Sequence, residues 1–85
     1  MPVEGPAEAH EFLDLCGLRC PLPALFARRA LLRGGPGVRV MVRADDPMAR
    51  IDIPHMCHQE GFEVVSLREA GGALEAVLRR PPADS

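Results

Sequence analysis

Residues 38–44, Val-Arg-Val-Met-Val-Arg-Ala, carry the plainest pattern in the chain. Val and Ala alternate with Arg and Met, so a strand here buries one face and turns a more polar one outward. Leu13 and Leu15 alternate in the same way within 12–16, predicting a short first strand, and Gly17 supplies the turn after it. From Pro21 to Arg33 the period lengthens to that of a helix. Ala24, Ala27, Arg28 and Leu31 share one broad side, with Leu25 and Leu32 at its margins. Leu22, Phe26, Arg29 and Arg33 fall opposite. Gly34-Gly35-Pro36-Gly37 stops the helix.

Asp45-Asp46-Pro47 reads as an acidic N-cap followed by proline at the first helical position. A second helix over 47–60 turns Ala49, Ile53, Met56 and Cys57 inward. Pro54 should kink it or end its first section near Asp52, which would cap the second section. Gly61 closes the segment. Runs at 62–70 and 73–80 flank Gly71-Gly72, a hairpin signal. The predicted order is β-α-β-α-β-β. Right-handed crossovers place both helices on one face of a four-stranded mixed sheet, an α/β (α+β) two-layer sandwich whose outer face is left to water or a partner. The domain spans 12–80, between a mobile leader at 1–11 and a frayed tail at 81–85.

Composition narrows the function more than the fold. With 85 residues the chain makes one domain, and three Phe with no Trp or Tyr force an aliphatic core. All ten basic residues are Arg, scattered along the chain, and the net charge of −2 gives no electrostatic footprint for nucleic acid. No apolar run is long enough to span a membrane and no secretory signal stands out, so the expected location is the cytoplasm, where thiols stay reduced. Three cysteines cannot all pair internally.

The candidate chemistry lies in Gly17-Leu18-Arg19-Cys20-Pro21-Leu22-Pro23, between the first strand and the first helix. Pro21 and Pro23 stiffen a first turn whose amides have no helical acceptor, leaving the N–H groups of Leu22 and Ala24 for an anion. A thiol there is expected to have a lowered pKa, helped by Arg19. Leu22 must be helical although it precedes a proline, a local conflict of the kind found at functional sites. Cys20 is therefore the candidate reactive residue, with Gly17, Arg19, Pro21 and Pro23 shaping its mount. Leu22 and Phe26, ringed by Arg19, Arg29 and Arg33, form a candidate docking patch with an apolar anchor and a cationic rim.

Leu13-Asp14-Leu15-Cys16-Gly17-Leu18-Arg19-Cys20-Pro21-Leu22-Pro23 resembles the N-terminal signature of TusA/SirA-like sulfur carriers, whose hallmark is Cys-Pro-x-Pro. The resemblance continues through Pro36-Gly37, Asp45-Asp46-Pro47, Asp52-Ile53-Pro54 and Gly61-Phe62-Glu63, covering about residues 12–80. It implies a two-layer sandwich like the C-terminal domain of a bacterial initiation factor. It also implies a cysteine, here Cys20, that takes sulfur as a persulfide from a cysteine desulfurase or rhodanese-type donor and passes it to an acceptor protein. No cofactor is implied beyond that covalent sulfur. The pathways so served include tRNA thiolation, molybdenum cofactor assembly and sulfur oxidation. A carrier of this kind depends on partner proteins for turnover.

Three other readings compete. Cys16 and Cys20 form a Cys-x3-Cys pair that could serve a thiol redox protein, although the spacing is not Cys-x-x-Cys. His55, Cys57 and His58 cluster, but His55-x-x-His58 is not a standard zinc spacing and no metal is expected. An RNA-binding or regulatory interaction module is the rival from a different class, and the acidic balance weighs against the RNA form of it.

Overall fold

The computed structural model describes residues 9–82. The parts of the leader at 1–8 and of the tail at 83–85 lie outside the described residues. Six elements follow in order: β1 (Glu11–Asp14), α1 (Leu22–Gly34), β2 (Arg39–Ala44), α2 (Ala49–Glu60), β3 (Glu63–Ala70) and β4 (Ala73–Arg79). The sheet runs β1-β2-β4-β3, with β1 parallel to β2 and both pairings of β4 antiparallel. The architecture is the expected α+β sandwich with a mixed sheet.

Alternation in β2 sorts its side chains as the pattern requires. Val40, Val42 and Ala44 are fully buried and pair with Leu78, Ala76 and Leu74 of β4. This inner face meets Ala24, Ala27, Ala30 and Leu31 from α1 and Ala49, Ile53, Met56 and Cys57 from α2. Three alanines on α1 let that helix sit close to the sheet, so small residues rather than aromatics set the layer spacing. On the outer face, register places Phe12, Met41, Val77 and Ser66 in one row, flanked by charged pairs such as Arg79–Glu63 (2.7 Å) and Arg68–Glu75 (3.1 Å).

Boundaries differ from the pattern for identifiable reasons. β1 ends at Asp14, two residues early, where the Asp14 carboxylate turns back to accept the Cys16 N–H at 3.2 Å. Leu15 stays in the core and donates its N–H to the Arg43 carbonyl. The buried side of α1 is rotated from the expected one. Pro23 and Ala30 are inside, while Leu25 (52% exposed) and Leu32 (41%) are out. α2 begins at Ala49 and runs through Pro54 without ending near Asp52. Pro54 lies early in the helix and removes one backbone donor, and full burial of Ile53 just before it holds the helical geometry. Gly61, at φ 80°, closes α2 in the left-handed conformation. Gly71 and Gly72 both have positive φ, the signature of a two-residue type I′ turn.

The last strand also secures the far end of α1. Arg80 donates to the carbonyls of Leu32 (3.0 Å) and Leu31 (3.5 Å), placing a cation at the negative end of that helix.

Candidate functional site

The loop between β1 and α1 carries Cys20 to the end of the molecule where β2 gives way to α2. Three carboxylates from that neighbouring segment hold it. Asp45 Oδ1 accepts the Gly17 N–H at 2.9 Å, and Asp46 Oδ2 accepts the Cys20 N–H at 2.9 Å. Asp52 Oδ2, one turn into α2, accepts a hydrogen bond from Cys20 Sγ at 2.6 Å. Gly17 has φ 89°, a conformation that favours glycine, so the turn and its exposed N–H depend on the residue being there.

Asp45 and Asp46 are therefore not the helix caps their position before Pro47 suggested. α2 has Met48 at its N-cap and no side-chain cap bond. Asp52 likewise caps no second section, because α2 has none. All three acids face the cysteine loop instead. Their spacing gave one readable signal, since two of them precede a proline and the third stands in Asp-Ile-Pro, both parts of the quoted resemblance. Nothing in helical periodicity points a residue of α2 towards residue 20.

The electrostatics of Cys20 reverse the expectation for a thiol at a helix N-terminus. Pro21 is the N-cap of α1 and Leu22 its first residue, and the Leu22 N–H is taken by the Arg19 carbonyl at 2.8 Å rather than left for sulfur. The hydrogen bond to Asp52 is the largest influence on the thiol, followed by desolvation and by the charges of Asp52 and Asp46, and together they raise its pKa. Arg19 is exposed and, among the described residues, has no acidic partner. Cys20 is an exposed free thiol whose surroundings favour its protonated form.

Pro21 and Pro23 flank the helix start as expected, Pro23 buried and Pro21 exposed. Leu22 (41% exposed) and Phe26 (38%) lie on the open side of α1, joined there by Leu25 and Leu32 into a wider apolar patch with Arg28, Arg29 and Arg33. Its cationic rim is weaker than the sequence implied. Arg33 is paired with Glu11 at 2.8 Å and Arg28 with Glu60 at 3.0 Å. A groove between α1 and α2 starts at Cys20 and Asp52, passes Ala24, Met56 and His55, and ends at the Arg28–Glu60 pair.

The other chemistry-bearing residues separate. Cys16 is an exposed free thiol whose pKa is raised by desolvation and by Asp14. Cys57 is buried in the core while His55 and His58 are exposed, so the three do not converge.

Comparison with known proteins adds to this geometry. Residues 11–80 match the family model described as sulfurtransferase TusA. The crystal structure of a SirA-like protein from Desulfitobacterium hafniense superposes with a TM-score of 0.73 at 26% identity, covering 84% of this chain and 97% of that one. No helix among the described residues is long and apolar enough to cross a membrane.

Proposed function

This chain belongs to the TusA sulfurtransferase family, whose members relay sulfur between donor and acceptor proteins, and from that premise we propose that Cys20 carries the sulfur as a persulfide. The observation that carries the reading is the placement of Cys20. It is exposed on a loop braced by Asp45 and Asp46, at the mouth of an open groove, with its sulfur held by a single carboxylate. A carrier must offer its sulfur to one partner and then another, and an enclosed thiol could do neither.

The reaction is transpersulfidation. Cys20 attacks the terminal sulfur of a donor persulfide, the donor sulfur–sulfur bond breaks, and the new Cys20 persulfide is later attacked by an acceptor thiolate. tRNA thiolation, molybdenum cofactor assembly and sulfur oxidation are the pathways such a relay would feed. The apolar patch of Leu22, Leu25, Phe26 and Leu32, with Arg29 in its rim, is the docking surface in this reading. Its position beside the cysteine loop supports that role.

Incubation with a cysteine desulfurase and cysteine tests the reading. The intact mass should rise by one sulfur, revert on reduction, and stay unchanged in Cys20→Ala. A chain that never gains sulfur from such a donor or from a small persulfide would not be a carrier.

A further inference from the structure

We propose that Asp52 separates the unloaded from the loaded state of Cys20: its carboxylate holds the thiol by a hydrogen bond, takes the thiol proton during attack, and repels the persulfide anion that forms. The inference rests on the relay reading and assigns a reacting role to a residue outside the Cys-Pro-x-Pro segment.

The geometry starts from one contact. Cys20 Sγ lies 2.6 Å from Asp52 Oδ2, while the Cys20 N–H is fixed by Asp46 at 2.9 Å. Backbone and side chain of the same residue are thus held by two carboxylates from one neighbouring segment, so the sulfur cannot drift from Asp52 without breaking that bond. The charged groups around it are few. Asp52 comes from α2, and Asp45 and Asp46 from the loop before it. His55 and Glu60 lie farther along the groove, where Glu60 is neutralised by Arg28 of α1. Arg19 precedes Cys20 in the chain. The charges that bear on the thiol are those of Asp52 and Asp46, and both favour its neutral form.

The exchange balances as Cys20–SH + R–S–SH → Cys20–S–SH + R–SH, where R–S–SH is a donor persulfide. The Cys20 proton moves to Asp52 along the existing hydrogen bond as Sγ attacks the terminal sulfur. The donor sulfur–sulfur bond breaks and the departing donor thiolate takes that proton from Asp52. Cys20 sulfur is oxidised by one electron equivalent and the donor sulfur is reduced by the same amount. A persulfide is a stronger acid than its thiol, so the product then loses its terminal proton to water. Sγ no longer carries a hydrogen-bond donor, and a negative charge now sits on the outer sulfur one bond beyond it. Asp52 and Asp46, which favoured the thiol, oppose the persulfide, and sulfur delivery restores the favourable pair. The carboxylate thus biases the cycle towards discharge.

Two measurements on the full chain test this. The first follows iodoacetamide modification of Cys20 against pH. The wild-type profile should lie above that of an ordinary thiol, Asp52→Asn should move it down and speed modification at neutral pH severalfold, and Asp46→Asn should move it less. The second sets the equilibrium with glutathione persulfide and glutathione at neutral pH and reads the loaded fraction by intact mass. Asp52→Asn should shift it severalfold towards the loaded form. A purely structural role would move neither in these directions. An unchanged profile or an unchanged partition in Asp52→Asn would overturn the proposal. If that variant does not fold, the wild-type profile still decides, because a midpoint below that of an ordinary thiol would overturn it alone. A wild-type thiol that titrates high but never loads would overturn the relay reading, and with it the repulsion step, while leaving the hydrogen bond established.

Discussion

Burial and hydrogen bonding raise the pKa of all three thiols among the described residues, and Cys57 alone of the three is shut off from solvent. Cys57 is 1% exposed within the core, and burial pushes its pKa from 9.0 up to about 11. The folded chain therefore keeps this proton after the unfolded chain has begun to lose it. Above pH 9 the unfolded state binds fewer protons, so the stability contributed by Cys57 falls as pH climbs from about 9 to about 11. Melting temperatures across that window should drop in wild type and drop less in Cys57→Val. Ellman's reagent should label Cys16 and Cys20 in the native chain and reach Cys57 only on unfolding. Residue identities made Cys20 a readable candidate, because a cysteine between a strand and a proline-bearing helix start is a local pattern. Its acid partners are not local. Asp46 and Asp52 lie 26 and 32 residues away in sequence, and only the packing of the cysteine loop against the β2–α2 loop and the first turn of α2 brings them to Cys20. The missed contact also reversed the predicted direction of the thiol's pKa.

At the scale of elements, strong periodicity was enough and helix facing was not. β2 and the Gly71-Gly72 hairpin stand where the pattern put them, because alternation and a two-glycine turn each leave one geometry. Gly72, at φ 78°, should resist replacement. Gly72→Val forces a β-branched residue into the left-handed region and should cost about 1–2 kcal/mol, read as a lower denaturant midpoint. The rotation of α1 has a different origin. Helical periodicity set Leu25 and Leu32 at the margins of the inner side, whereas close packing on the sheet takes in the smaller Pro23 and Ala30 beside Ala24, Ala27 and Leu31 and leaves those two leucines out. The leucines left outside enlarge the patch beside Cys20. α2 was misread through Pro54 for a related reason: a local helix-breaking preference yields to the burial of Ile53, Met56 and Cys57 on the core side.

For the whole molecule, the proposed relay separates holding from recognition. The two-layer core fixes β2 and α2, their junction fixes the three aspartates, and the aspartates fix the sulfur loop. In the proposed reading, recognition falls to the open side of α1. Phe26→Asp should slow sulfur loading from a desulfurase protein by about tenfold, equivalent to ~1.4 kcal/mol, while loading from glutathione persulfide stays unchanged. Equal loss with both donors would mean that the patch supports the loop rather than the partner.

Trypsin locates the carried sulfur, because cleavage after Arg19, Arg28, Arg50 and Arg68 puts Cys16, Cys20 and Cys57 in three separate peptides. After loading by a cysteine desulfurase and trapping with iodoacetamide, the extra sulfur should appear in the 20–28 peptide alone. Sulfur found instead in the peptide ending at Arg19, or a disulfide joining that peptide to 20–28 with no persulfide, would contradict the placement of sulfur on Cys20.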